Sequence, residues 1–331
     1  MAVPISDIAT DGELRGDDAD RVGHSLGNLI EIVFPLLDAV GARSIVEVGS
    51  YAGDLTRELL GWAAGAGASV SAIDPSPEPE LIELGERHEE LELIRKTSHE
   101  AVREIAVPDA VIIDGDHNYY TVREELRLID ERARKEIPLI LLHDVCWPHG
   151  RRDAYYAPER IPAAYRRSAA RNVRLFPGDQ GIAEGGLPYP WAAEREGGPR
   201  NGVLTAVEDF VRGREELRLA IVPAFFGLGV LWRHDAPWAG EVAEILQQWD
   251  RNPVLARMEA NRVLHVATEH AQVGELIPLQ QRAAIQEDVL RLMLNSSAFA
   301  WAERLSRLRK GGRPAFSREL VRRALGNVEP R

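Results

Sequence analysis

The side chains of this chain best placed to do chemistry begin with one segment, Ser44-Ile45-Val46-Glu47-Val48-Gly49-Ser50-Tyr51-Ala52-Gly53-Asp54-Leu55-Thr56. A β-branched run ends there in an acid and a glycine turn, and a helical pattern follows, the local grammar of a ligand-binding strand-to-helix junction. Some twenty residues further on, the short apolar run 70–73 ends in Asp74, and an acid at the carboxyl end of a strand can accept both hydroxyls of a ribose. Together they indicate a cofactor that contains a nucleoside. A dinucleotide loop needs a second glycine where its backbone touches pyrophosphate, and Tyr51 fills that place, so a cofactor without pyrophosphate is favoured. By itself the loop is equally consistent with an ordinary glycine turn.

Three further polar segments follow apolar runs that read as strands: Ser98-His99, Asp114-Gly115-Asp116-His117 and His143-Asp144. Ligands of open parallel sheets sit at the carboxyl ends of strands, so Ser98 is placed to contact an adenine. Asp114 and Asp144, on adjacent strands, can give a hard cation such as Mg²⁺ two carboxylate ligands, and His117, one short turn past Asp114, can act as a base. The structural alternatives are a turn at Asp114-Gly115, a helix cap at Asp116 or Asn118, and a hydrogen-bonded strand end at His143.

The elements that must carry these residues are legible in the periodicity. Leu26, Leu29, Ile30, Val33, Leu37 and Val40 fall on one helical face, kinked at Pro35, in a helix expected to cover the cofactor. After the glycine loop, a helix from Asp54, strand 69–73, helix from Glu78, strand 91–95, helix from Ser98, strand 109–113, helix 118–135 and strand 138–142 alternate, which predicts a parallel, doubly wound sheet. Residues 145–200 read as a long irregular run rich in Pro, Gly, Arg and aromatic residues, and so long a loop is usually functional. We expect it to be a substrate lid in which Trp147, His149, Tyr155, Tyr156, Tyr189 and Trp191 can stack on a ring, with His149 as a second candidate base. A helix at 202–212 and two strands, 217–222 and 225–232, joined near Pro223-Ala224, complete the α/β part.

Glu47-x-Gly49-x-x-x-Gly53 followed by Asp74, with this element order over residues 44–232, resembles the class I S-adenosylmethionine-dependent methyltransferases. The resemblance implies a doubly wound seven-stranded sheet with a final antiparallel pair, and the periodicity adds an N-terminal helix before it and a helical C-terminal extension after it. The resemblance also implies a cofactor site made of Glu47, Gly49, Ser50, Tyr51, Gly53, Asp74, Ser98 and Asp114, with the acid and glycine loop on the methionine moiety and Asp74 on the ribose. The Asp114-Gly115-Asp116-His117 segment, followed one strand later by His143-Asp144, is similar to the metal-assisted sugar and macrolide O-methyltransferases and their cephalosporin-hydroxylase-like relatives. That likeness implies Asp114 and Asp144 as ligands of Mg²⁺ or Mn²⁺ and His117 as catalytic base. The chain departs from that group at His143, where the group has Glu; imidazole suits transition metals better than Mg²⁺, so His143 is a candidate ligand or a candidate base. Such an activity would move a methyl group to a hydroxyl, which needs a base or a Lewis acid at neutral pH.

The expected organisation is an N-terminal segment and covering helix at 1–43, a methyltransferase domain at 44–235 with its lid at 145–200, and a helical extension at 236–331. In that extension Val242, Ile245, Leu246 and Trp249 share one face, as do Leu290, Leu294, Trp301, Leu305 and Leu308, which suits packing on the same subunit or homo-oligomerisation. A net charge of -12 disfavours a nucleic-acid partner and leaves a small-molecule acceptor, with a sugar or glycosylated natural product as the expected class. No stretch is apolar enough to span a bilayer, the acidic start from Met1 to Asp20 does not read as a signal peptide, and Cys146 is the sole cysteine, so a cytoplasmic protein without disulfides or a multi-cysteine zinc site is expected. The competing classes are a metal-independent methyltransferase with a histidine base, a nicotinamide-dependent oxidoreductase, and a catalytically silent S-adenosylmethionine-binding protein.

Overall fold

A computed structural model of the protein describes residues 23–134, 136–309 and 317–325. The reading of Met1 to Asp20, and with it half of the expected N-terminal segment, lies outside the described residues.

Strands β1 (Ser44–Val48), β2 (Ser69–Ile73), β3 (Leu91–Ile94), β4 (Ala110–Ile113) and β5 (Leu139–Leu142) run parallel. A separate antiparallel pair, β6 (Ala169–Leu175) and β7 (Leu187–Ala193), precedes β8 (Leu217–Val222) and β9 (Leu228–Arg233). The main sheet has seven strands in the order β3-β2-β1-β4-β5-β9-β8, with β9 antiparallel to both neighbours.

Alternate residues of the central strands enter opposite cores, as a two-residue side-chain period requires. Ile45, Ile112, Leu139 and Leu141 pack on one side with helices α1 (Ile30–Ala39), α2 (Asp54–Ala66) and α3 (Pro79–Arg87). Val46, Val111, Ile113, Ile140 and Leu142 pack on the other with α4 (Ser98–Glu104), α5 (Tyr119–Ala133) and α6 (Val203–Val211). Each fully buried Leu or Ile contributes about 1.5–3 kcal/mol by area. The helices start where the sequence supplies caps: Thr97 and Glu100 form a reciprocal capping box at α4, and the Asn118 side chain accepts the Thr121 N–H at 2.9 Å at α5.

Register decides what meets at the carboxyl edge. Val48 pairs with both Ile73 and Ile113, and Ile113 pairs with Leu142. The next residues, Gly49, Asp74, Asp114 and His143, therefore leave the sheet side by side.

Several expectations are corrected. The predicted N-terminal helix begins as a 3₁₀ turn, Leu26–Leu29, before α1, and α1 packs on α7 (Ala239–Leu246) and the sheet core. The run 145–200 is not wholly irregular, because it contains the β6–β7 hairpin, in which Pro188 and Pro190 alternate with Leu187, Tyr189 and Trp191. Prolines are tolerated on such an edge. The second strand of the final pair starts at Leu228, and Phe225 and Phe226 belong to the turn. Leu290 and Leu294 lie on α8 (Pro253–Asn295), whereas Trp301, Leu305 and Leu308 lie on α9 (Ser297–Arg309). The break at Ser296 divides the single apolar face expected from them.

A last helix, α10 (Arg318–Leu325), follows. The chain divides into two compact units between Ala267 and Thr268, inside α8, and not near residue 235, because Val263 and Ala267 bury against Leu187 and Phe226. Among the described residues no helix is long and apolar enough to cross a membrane.

Candidate active site

The glycine loop turns because three of its residues adopt positive φ: Gly49 at 86°, Tyr51 at 45° and Gly53 at 81°. Gly49 is required sterically, since a Cβ there would lie 2.3 Å from the Asp114 carbonyl oxygen. Asp74 clamps the loop, with the Tyr51 N–H donating to its Oδ2 at 2.8 Å and the Ser76 N–H to its Oδ1 at 2.7 Å. Glu47 lies beneath the loop at 2% exposure. The Thr56 hydroxyl donates to it at 2.6 Å, and burial pushes its carboxyl up to about 7. This contact ties β1 to the first turn of α2. Ser50 is buried in the loop, while Tyr51 is exposed and Ser98 opens α4 as a buried residue.

Past β4 and β5 the candidate ligands converge. One ligand atom each from Asp114, His143 and Asp144 lie within 4.8 Å of one another. Asp114 Oδ1 is 3.0 Å from His143 Nδ1, and Asp144 Oδ2 is 3.6 Å from the same nitrogen. The other ring nitrogen, Nε2, donates to the Phe225 carbonyl at 2.8 Å, because a carbonyl can only accept. His143 is fully enclosed. Burial alone would lower it, but the carboxylates of Asp114 and Asp144 and its hydrogen bonds outweigh burial and raise it to about 10. Without a cation it therefore holds a proton on each nitrogen and has no free lone pair, which speaks against His143 as the base.

Asp144 adopts φ 59°, a left-handed conformation that is uncommon outside glycine. Its Oδ2 also lies 3.1 Å from His117 Nδ1. Burial would raise this carboxyl, yet the imidazoles of His117 and His143 hold it below the usual range. With Nδ1 turned toward Asp144, Nε2 is the ring nitrogen of His117 left to face an acceptor. His149 stacks on His117 with centroids 5.2 Å apart. It is kept neutral, lowered to about 3 chiefly by burial, and it packs against His117 as too weak a base to hold a proton at neutral pH.

The donor set fits a divalent cation. Two carboxylates and one imidazole form the group, and the Phe225 carbonyl fixes the Nε2–H tautomer that aims Nδ1 at both acids, as outer partners of metal-bound histidines do.

The segment leaving β5 lies over this edge. The Ala154 N–H donates to the His117 carbonyl at 2.9 Å, Tyr156 meets the His117 ring at 5.9 Å, and Tyr189, carried by β7, meets His149 edge-on at 4.8 Å. Trp147 packs on the Val173–Leu175–Ala192 cluster, and the Tyr155 hydroxyl donates to Asp153. Sequence reasoning missed two residues. Asp153 ties this segment to α5 and α6, and Phe225 supplies a carbonyl and so leaves no mark in residue type. The Phe225-Phe226-Gly227 triplet, with glycine as its third residue, was the available sign of a turn.

Comparison with known proteins gives one family model, described as a methyltransferase domain, that matches residues 46–145. No curated protein matches the chain. Among solved structures, a Podospora anserina methyltransferase with bound S-adenosylhomocysteine is 14% identical over 66% of this chain and 83% of its own, at a TM-score of 0.39. A methyltransferase from Geobacter sulfurreducens is 13% identical, covering 69% and 86%, at 0.35. Human N-acetylserotonin methyltransferase in complex with S-adenosylmethionine is 13% identical, covering 64% and 54%, at 0.35. With such TM-scores, the fold assignment rests on the strand order and the family match.

Proposed function

We propose that this chain is a class I S-adenosylmethionine-dependent methyltransferase, a reading supported by the methyltransferase-domain match at residues 46–145 and by the order of the seven-stranded sheet, and that it methylates a hydroxyl of a small molecule with the assistance of a divalent cation. The observation that carries the reading is the convergence of Asp114, His143 and Asp144 at the carboxyl edge, with His117 3.1 Å from Asp144, beside the loop clamped by Asp74.

In this reading Asp74 and the loop orient the nucleoside, and Gly49 permits their close approach to β4. When bound, the cofactor would supply an electrophilic methyl group, and Asp114, His143 and Asp144 would hold a cation whose Lewis acidity would favour loss of the acceptor proton. His117 Nε2 would take that proton, freeing an electron pair on the acceptor oxygen to accept the methyl group, while the sulfur of the cofactor would keep the electrons of the bond that breaks. Asp144 stabilises the resulting imidazolium and keeps its tautomer. Tyr156 and the segment 145–200 cover the edge and exclude water. Alignment of oxygen and methyl supplies much of the rate.

A sugar or glycosylated natural product is the acceptor class we favour, since adjacent hydroxyls can face the acids while Tyr51 and Tyr156, both exposed, offer faces for stacking. The net charge of -12 argues against a nucleic-acid acceptor. The test is transfer of labelled methyl to a panel of sugars and phenols, with and without EDTA. Loss on chelation and return with Mn²⁺ or Mg²⁺ is expected, whereas full turnover after exhaustive chelation would refute the metal's part and leave His117 as a sole base.

A further inference from the structure

The turn between β8 and β9 is bent against its residue types. Phe225, Phe226 and Gly227 have φ of 48°, 65° and 93°, three successive left-handed residues of which two are aromatic. Such a conformation persists only where the surroundings over-determine it. Here they do. Gly227 packs so closely on Cys146 that a Cβ would lie 2.5 Å from its sulfur, and the Cys146 N–H donates to the Phe226 carbonyl at 2.8 Å. His24 stacks on the Phe226 ring at 4.6 Å. The Arg262 guanidinium lies 5.2 Å from the Phe225 ring and 4.6 Å from the Phe226 ring.

One peptide group in this turn has two buried partners. Its carbonyl, that of Phe225, accepts the His143 Nε2–H at 2.8 Å. Its N–H, that of Phe226, donates to Glu259 Oε1 at 2.8 Å. Glu259, on α8, is 9% exposed, and Arg262 holds both of its oxygens at 2.7 Å. Burial would raise this carboxyl, but Arg262 and the Phe226 N–H keep it lowered and ionised.

We propose that Glu259 is a positioning residue for His143, acting through the Phe225–Phe226 peptide group. The chain runs from carboxylate to N–H, through the amide, and from C=O to the imidazole Nε2–H. A charged acceptor on the amide N–H increases negative charge on its oxygen, because successive hydrogen bonds polarise one another. The Phe225 oxygen then holds the Nε2 proton more firmly, which keeps Nδ1 directed at Asp114 and Asp144 and makes it a better donor to a cation. Glu259 thus stands to His143 as a directly bonded carboxylate does in a carboxylate–histidine–metal triad, with one peptide group interposed.

The metal part of this inference rests on the proposed function, so the test has two readouts. The full-length protein and its Glu259→Gln and Glu259→Ala variants are titrated with Mn²⁺, and the His143 ring N–H is followed by ¹⁵N-histidine NMR in the metal-free protein. Glu259→Gln retains an acceptor oxygen but loses the charge and guards against misfolding of the alanine variant. We expect Mn²⁺ affinity to fall about 10–100-fold for Ala, the range for outer partners of metal-bound histidines, and less for Gln. The Nε2 proton should move upfield in the same order, and S-adenosylhomocysteine affinity should stay unchanged. An unmoved Nε2 proton in a folded variant overturns the proposal, as does unaltered Mn²⁺ affinity where the wild type binds Mn²⁺. A wild type that binds no Mn²⁺ but whose Nε2 proton responds to Glu259 refutes the metal reading alone and sustains the positioning role.

Discussion

Asp153 is the residue whose removal should separate acceptor handling from cofactor binding. Its carboxylate accepts three buried hydrogen bonds, from the Tyr119 N–H at 2.8 Å, the Gly202 N–H at 2.7 Å and the Tyr155 hydroxyl at 2.9 Å. It thereby joins the segment that leaves β5 to the starts of α5 and α6. In Asp153→Ala two backbone donors lose their acceptor, at about 1–3 kcal/mol each, while the cost of burying the charge disappears, so a net loss of about 2–4 kcal/mol is expected. Asp153→Asn retains an oxygen for both N–H groups and should cost about 1 kcal/mol or less at neutral pH.

A pH signature distinguishes this residue from a mere packing contact. Burial pushes Asp153 from its ordinary 3.8 up to about 6, so its folded form binds a proton more readily than its unfolded form. Its contribution to stability is therefore full below pH 3.8 and is lost as pH rises through 6, a change of about 3 kcal/mol by linkage. Denaturant midpoints at several pH values between 4 and 7, with kinetics for the acceptor and calorimetry for S-adenosylhomocysteine, provide the assay. We expect Asp153→Asn to flatten that slope, and Asp153→Ala to lower acceptor kcat/KM at least tenfold with cofactor affinity unchanged. An alanine variant as stable as wild type with unaltered acceptor kinetics would refute the reasoning.

Two other perturbations address the remaining site. Asp74→Ala removes the acceptor of the Tyr51 and Ser76 N–H groups as well as the expected ribose contact, and should weaken S-adenosylhomocysteine binding by about 1.5–3 kcal/mol; calorimetry showing unchanged affinity would remove Asp74 from the site. His117→Ala should reduce kcat about 10²–10⁴-fold, the span of general-base catalysis, with cofactor affinity preserved; a smaller loss by steady-state kinetics would shift the proton transfer elsewhere.

The legible parts of the chain were those with a local signature. The five parallel strands appear as short apolar runs, and the bounds predicted for the four that follow β1 agree with the structure to within a residue at each end. Asp114 and Asp144 stood out because each follows such a run. The β6–β7 hairpin was hidden because its prolines and arginines break the usual strand composition. Phe225 and Phe226 read as strand residues because aromatic residues favour strands, whereas Gly227, packed on Cys146, and the Glu259–Arg262 pair hold them in a turn.

By itself, the sequence determined the α/β alternation, the glycine loop with Tyr51 in its middle, and the acids at three strand ends. All of these depend on residues within a turn or a strand of one another, where side-chain period and glycine conformation suffice. Tertiary structure alone decided which polar groups meet. The register of β1, β4 and β5 brings Asp114 beside His143, 29 positions apart, and the His143 ring is oriented by a carbonyl 82 positions away. It also decided protonation, since His143 is raised to about 10 and His149 lowered to about 3 by what encloses them. Residue type fixes an ordinary proton affinity, but burial and neighbouring charge, which shift it, exist only once the chain has closed on itself.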